Sequence, residues 1–218
     1  MTRLHVVCEG QSEVNFVKKL LVPHLLPGLL ILPRAVLTSK TQRGGMSSYQ
    51  KAKNEIQINL RELKGQGFCT TMFDLYRLPH DFPGYAQAAK IRDPHQRATH
   101  LEKALTADIN DPRFFPHLQV HELEALIFAA PQQLNWEYLD NDPGITELVA
   151  VADSYGNPEL INGGEDTAPS KRILKSIPGF DKATAGIAVL EKIGLDTLRN
   201  RCPHFAAWLT QIEITAIQ

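Results

Sequence analysis

The chain has 218 residues, of which 43% are hydrophobic and 22% charged, with a formal net charge of -1. That composition is of an ordinary globular protein able to bury a sizeable core; it excludes a disordered chain and one that coats nucleic acid through bulk charge, while a local basic patch stays compatible. Cys8, Cys69 and Cys202 are far apart and show neither a disulfide framework nor zinc spacing, as expected of reduced residues in a cytoplasmic protein. No basic segment followed by a long apolar one opens the chain, and no apolar run approaches the roughly 18 residues that would span a bilayer, so no membrane association is expected.

Residues 4–8 read as a buried strand that stops at Glu9-Gly10. Glu9 is thereby left at the strand's C-terminal tip, where open parallel α/β sheets bind ligands. Ser12 can cap a helix whose Val14, Phe16, Val17, Leu20 and Leu21 form an apolar face, ended by Pro23 and Pro27. Residues 28–36 are a second strand, broken by Pro33, and residues 38–48 a mobile polar loop. The spacing of Ala52, Ile56, Leu60 and Leu63 predicts a helix over 49–64, closed by Gly65-Gln66-Gly67. Residues 68–73 form a strand that runs into Asp74, the second carboxylate at a strand tip. The proline- and aromatic-rich stretch 75–84 is expected to wrap the site as an ordered loop.

A helix over 95–108 and a strand over 114–120 follow, the strand leading into His121-Glu122-Leu123-Glu124, a third acidic cluster. Strands alternating with helices predict an α/β fold with a mostly parallel sheet and right-handed crossovers. Past residue 130 the pattern turns helical, at 145–155, 170–177, 182–193 and 204–214, with turns at Gly156-Asn157-Pro158, Gly163-Gly164, Pro178-Gly179 and Pro203. The organisation expected is an α/β core over 1–130 with a helical section, 131–218, packed on it as one unit.

Glu9, Asp74 and Glu122 or Glu124 are candidate ligands of Mg²⁺ or Mn²⁺, since hard divalent cations favour carboxylate oxygens, and such a site suits phosphoryl chemistry. The competing reading is that each acid caps a helix. His121-Glu122 begins like H-E-x-x-H, but Ala125 stands where the second histidine would be, which excludes a zincin. Ser170, capping a helix that carries Lys171 and Arg172, is a candidate phosphate-binding cluster, although helix cations are commonly just solvated. Lys40, Arg43, Lys51 and Lys53 could touch a phosphate backbone, with the same alternative. Neither G-x-G-x-x-G nor a Walker A motif occurs, so nucleotide binding through either is not expected.

The run Val6-Val7-Cys8-Glu9-Gly10-Gln11-Ser12-Glu13 resembles the first motif of the Toprim (topoisomerase-primase) fold. Together with Phe73-Asp74-Leu75-Tyr76-Arg77-Leu78-Pro79, with His121-Glu122-Leu123-Glu124-Ala125-Leu126-Ile127-Phe128, with Ala168-Pro169-Ser170-Lys171-Arg172 and with Cys202-Pro203-His204-Phe205, it is similar to the Toprim-like family called domain of unknown function 4276. The resemblance implies a Toprim-like α/β fold and a metal site with Glu9 as the strand-one acid and Asp74 as the first acid of D-x-D. Tyr76 stands in place of the second, so a two-metal site would need Glu122, Glu124 or Asp81 as substitute. The activity implied is a Mg²⁺- or Mn²⁺-dependent nuclease or phosphodiesterase, with catalytic roles for Glu9 and Lys171, acting on DNA rather than RNA. It would work with a separate ATPase in defence against phage or foreign DNA, and could be a homo-oligomer. The alternative is a non-catalytic binding or regulatory subunit of that ATPase.

Overall fold

A computed structural model describes residues 2–36, 46–161, 164 and 166–217; the polar loop expected over 38–48 falls largely outside these, as do Lys40, Arg43, Asn162 and Gly163. The centre is a parallel sheet in the order β2-β1-β3-β4, formed by β1 (Thr2–Cys8), β2 (Leu29–Ala35), β3 (Phe68–Asp74) and β4 (Phe114–Phe115), with β5 (Leu118–Gln119) also paired to β3. Side chains alternate across the sheet. Leu4, Val6, Cys8 and Met72 therefore face one core, closed by helices from both ends of the chain. Val7, Cys69 and Phe73 face the other, closed by α3 (Tyr49–Glu62) and α5 (Pro94–Ile109). The first core mixes Phe16, Leu126, Phe128, Ile187, Phe205 and Leu209, so the helical section shares its interior with the sheet. The α/β architecture with a mostly parallel sheet and a C-terminal helical section is as the sequence predicts.

Pro33 is tolerated in β2 because that strand lies at the sheet edge, where a missing N–H breaks no central ladder. The helix after Glu9 departs from expectation in two ways. Gly10, not Ser12, is its N-cap, and α1 (Gln11–Phe16) passes through a π-helical turn, Val17–Leu21, into α2 (Val22–Leu25). Pro23 thus does not end the helix. Having no N–H, it fits a stretch in which Val22 already bonds the carbonyl of Val17. The strand expected over 114–120 is split into β4 and β5 by Pro116 and His117. The loop after Asp74 is anchored by buried Leu75, Leu78 and Phe82, ahead of α4 (Tyr85–Ala88).

The later helices are α6 (Asp142–Tyr155), α7 (Pro169–Ser176), α8 (Ala185–Ile193), α9 (Leu195–Arg201) and α10 (Pro203–Ile217). α8 starts later than expected because the Asp181 carboxylate accepts from the N–H groups of Ala183 and Thr184, and α9 is a helix beyond those the sequence pattern predicts. Among the described residues no helix is long and apolar enough to cross a membrane.

Candidate functional site

Parallel pairing of β1 with β3, Cys8 opposite Met72, brings Glu9 and Asp74 out at the same edge of the sheet. The two acids are tied together: the Asp74 N–H donates to Glu9 Oε2 at 3.1 Å, and the Met46 N–H to Glu9 Oε1 at 3.3 Å. β5 runs parallel to β3 with Gln119 opposite Asp74, so the chain after β5 leaves by that edge too. His121 then adopts a left-handed backbone (φ 66°), an uncommon conformation for a side chain of that size, and the chain enters a 3₁₀ helix, Leu123–Ala129, with Glu122 as N-cap. The Leu123 N–H donates to Asp74 Oδ1 at 3.0 Å.

Two further residues, outside the sequence-predicted set, complete the cluster. Glu13, one turn into α1, is buried and accepts from the Gly10 N–H at 2.7 Å. Lys182, between α7 and α8, places Nζ 3.3 Å from Glu124 Oε1 and 3.9 Å from Glu122 Oε1. Glu13 could have been found from its four-residue spacing to Glu9 just after a strand end. Lys182 carries no local signal, because its partners lie nearly sixty residues away.

Ser170 joins the cluster differently from the expected helix cap. The N-cap of α7 is Ala168, and both the N–H and the hydroxyl of Ser170 donate to Glu122, each at 3.0 Å. Lys171 is exposed on α7, while Arg172 donates from Nε to the Thr167 carbonyl at 2.8 Å and lies over the Tyr155 ring. Asp81 accepts from the Tyr49 N–H at the start of α3, and Lys53 pairs with Asp108 at 2.8 Å.

The electrostatics follow from crowding. Burial raises the Glu13 carboxyl from 4.5 to about 7, with the Glu9 charge adding to it. Burial likewise takes Glu124 to about 7, against the pull of Lys182 and with the push of Glu122. Asp74 lies well above the usual carboxylate range through burial and then through Glu13, Glu9, Glu124 and Glu122; Glu9 is raised by burial despite its two backbone donors. Burial works against the Lys182 ammonium, but Glu124 and Glu122 outweigh it and raise its pKa. Glu13, Asp74, Glu122 and Glu124 share the one lysine and, with Glu9, make a region where a proton or a cation is favoured; their oxygens are of the kind a hard divalent ion takes, but among the described residues they do not form a group of three whose ligand atoms all lie within 4.8 Å of one another.

A second polar cluster lies between α5 and α10. Glu102 Oε1 accepts from the Leu118 N–H at 2.8 Å, meets His204 Nε2 at 2.9 Å and lies 3.8 Å from His117 Nδ1. Ligand atoms of Glu102, His117 and His204 are all within 4.8 Å of one another, a grouping that could hold a metal ion. The His117 ring stacks between those of Trp208 (4.4 Å) and His204 (5.2 Å). Beside them Glu159, fully buried, accepts from the N–H groups of His204 and Phe205 in the first turn of α10, both at 2.9 Å, and meets His95 Nε2 at 3.0 Å.

The model of the family described as Domain of unknown function (DUF4276) matches residues 8–213. The chain belongs to that family, whose match takes in every acid of the cluster and Lys182. Comparison with curated proteins found no match, and neither did comparison with solved structures.

Proposed function

We propose that the chain is a Mg²⁺- or Mn²⁺-dependent phosphodiesterase or nuclease of Toprim type, acting on DNA in preference to RNA. The observation that carries this reading is the convergence of Glu9, Glu13, Asp74, Glu122 and Glu124 at one end of a parallel sheet, with the pKa of Glu13 and Glu124 pushed up to about 7. Buried acids that shift one another in this way, at the strand ends of an open α/β sheet, are what a functional site looks like, whereas acids that only cap helices gain nothing from crowding. Glu9, Asp74, Glu122 and Glu124 would hold the ion, which when bound supplies charge neutralisation at the phosphate and a more acidic water. Glu13, near neutral pH in its titration, is placed to take or return a proton at the edge of that set. Lys182 offsets part of the negative charge while the acids are ionised.

The resemblance to Toprim nucleases also supports a separate ATPase as partner and a role in defence against foreign DNA. A second reading, a binding or regulatory subunit without hydrolysis, is favoured by Tyr76, which stands where those nucleases carry the second acid of D-x-D. Hydrolysis of single- and double-stranded DNA with Mn²⁺, with and without an ATPase encoded nearby, separates the two. Activity that disappears in Glu9→Gln supports the enzyme; cleavage unchanged in that variant overturns this site, and no cleavage under any condition leaves the binding subunit.

A further inference from the structure

Directly beside the acid cluster is a cavity of about 650 Å³ whose lining includes Tyr76, Arg77, Tyr85, Arg92, Arg97 and His121. It is joined to the acids through the backbone. Tyr76 is two residues past Asp74, His121 immediately precedes Glu122, and the Tyr76 N–H donates to the His121 carbonyl at 2.8 Å. Arg77 and His121 both have left-handed backbones, at φ 61° and 66°, so the two segments turn where the cavity opens. The Arg77 guanidinium lies 5.1 Å from the centre of the Tyr76 ring.

The chemistry of this wall is specific. Arg92 is exposed just ahead of α5, and Arg97 sits in that helix's first turns with its Nε buried and without a hydrogen-bond partner. The nearby Asp93 carboxylate is occupied as the helix cap, accepting from the Gln96 N–H at 2.8 Å. Arg77, Arg92 and Arg97 together make one wall of the cavity cationic, and the planar fork of arginine matches phosphate. The Tyr76 and Tyr85 rings also line the cavity, Tyr76 with Arg77 over one face and Tyr85 in a T-shaped contact with His80 at 4.8 Å, so a base would stack on the remaining ring surface; the volume is of the size that small-molecule sites have.

We propose that this cavity receives one nucleotide unit, its phosphate on Arg92 and Arg97 and its base against Tyr76 and Tyr85, next to the phosphodiester presented to the acids. The proposal rests on the phosphodiesterase reading for its substrate class. It gives Tyr76 a substrate-binding role at the position where a metal ligand would otherwise stand.

The test is fluorescence anisotropy of a labelled twelve-residue oligothymidylate in EDTA, where no cleavage occurs, with the full chain. Wild type and Glu9→Gln should both bind. Arg92→Ala/Arg97→Ala should bind at least tenfold more weakly at an unchanged thermal midpoint, and the slope of log affinity against log salt should fall by roughly 0.7 per arginine removed. Tyr76→Leu should weaken binding with that slope unchanged. Displacement of the probe by thymidine monophosphate would mean that a free nucleotide suffices; displacement only by unlabelled oligomer would mean that a strand is required, and either result keeps the proposal. Unchanged affinity in the double arginine variant, or displacement by polyglutamate as effective as by the oligomer, overturns it. Binding in EDTA without any Mn²⁺-dependent cleavage would sink the phosphodiesterase and leave the cavity assignment standing.

Discussion

The acid cluster and the histidine cluster both gather buried titratable groups from distant segments, yet they treat their carboxylates in opposite ways. Glu102 and Glu159 are matched to donors: Leu118 N–H and His204 for one; His204 and Phe205 N–H groups and His95 for the other. Glu159 in particular satisfies two of the orphan donors at the start of α10 and sits at the positive end of that helix. At the sheet edge Glu122 is matched by the N–H and hydroxyl of Ser170, but the five carboxylates otherwise share one lysine, which is itself 41% exposed, and a few backbone N–H groups. Matched acids hold a fold together; crowded acids destabilise it unless something cationic arrives. Under the proposed function the sheet edge is the working site and the α5–α10 contact a brace, although the latter also brings the ligand atoms of Glu102, His117 and His204 within 4.8 Å of one another.

The largest expected effect falls on activity. If the sheet edge holds the ion, Glu9→Gln and Asp74→Asn should each lower Mn²⁺-dependent phosphodiester cleavage by roughly a thousandfold, the worth of several kcal/mol of lost charge stabilisation, while His204→Asn should change it little. A rate assay in which His204→Asn is the damaging change would move the chemistry to the other cluster. Next is pH. Glu13, whose pKa rises from 4.5 to about 7 on folding, keeps a proton in the folded chain that the unfolded chain has lost. Stability therefore falls as pH rises from about 4.5 through about 7, by about 3 kcal/mol for this group alone. His204, whose pKa is raised because Glu102 outweighs its burial, adds loss in the same direction as pH passes above its ordinary 6.5. Denaturant melts in EDTA should show this decline, and Glu13→Gln should flatten it. Mn²⁺ should act in the opposite sense: at a hundred times its Kd it adds about 2.7 kcal/mol, more at pH 8 than at pH 5.5 because it competes with protons. That thermal shift should vanish in Asp74→Asn and persist in His204→Asn.

How much of this was legible in the sequence depends on range. Glu9 and Asp74 stood out because each ends an apolar run, and the parallel sheet followed from strands spaced by helical segments. The apolar pattern over 114–120 predicts one strand, but Pro116 lacks the N–H a ladder needs, and two short strands form instead. Glu13 lies four residues after a strand-end acid, about one helical turn, a spacing that links the two only once the strand is known to lead straight into a helix. Local chemistry makes Ser170 a cap, whereas its actual acceptor, Glu122, lies 48 residues off. Lys182 and the Glu102–His117–His204 group depend wholly on how the C-terminal helices return to the sheet, which no local spacing encodes.

The smallest effect is the most discriminating. Lys182 could be a brace like His204, or a stand-in for the ion. Removing its charge in Lys182→Met leaves Glu124 and Glu122 without their nearest cation, but the side chain's exposure screens the pair, so the metal-free chain should lose only about 1 kcal/mol. A brace would show that loss and nothing more. A stand-in repels the incoming divalent ion, and its removal should tighten Mn²⁺ binding severalfold by calorimetry even as the metal-free chain weakens. Destabilisation with unchanged Mn²⁺ affinity would place Lys182 with the matched groups of the α5–α10 contact and leave the acids as the cluster's sole contribution to cation binding.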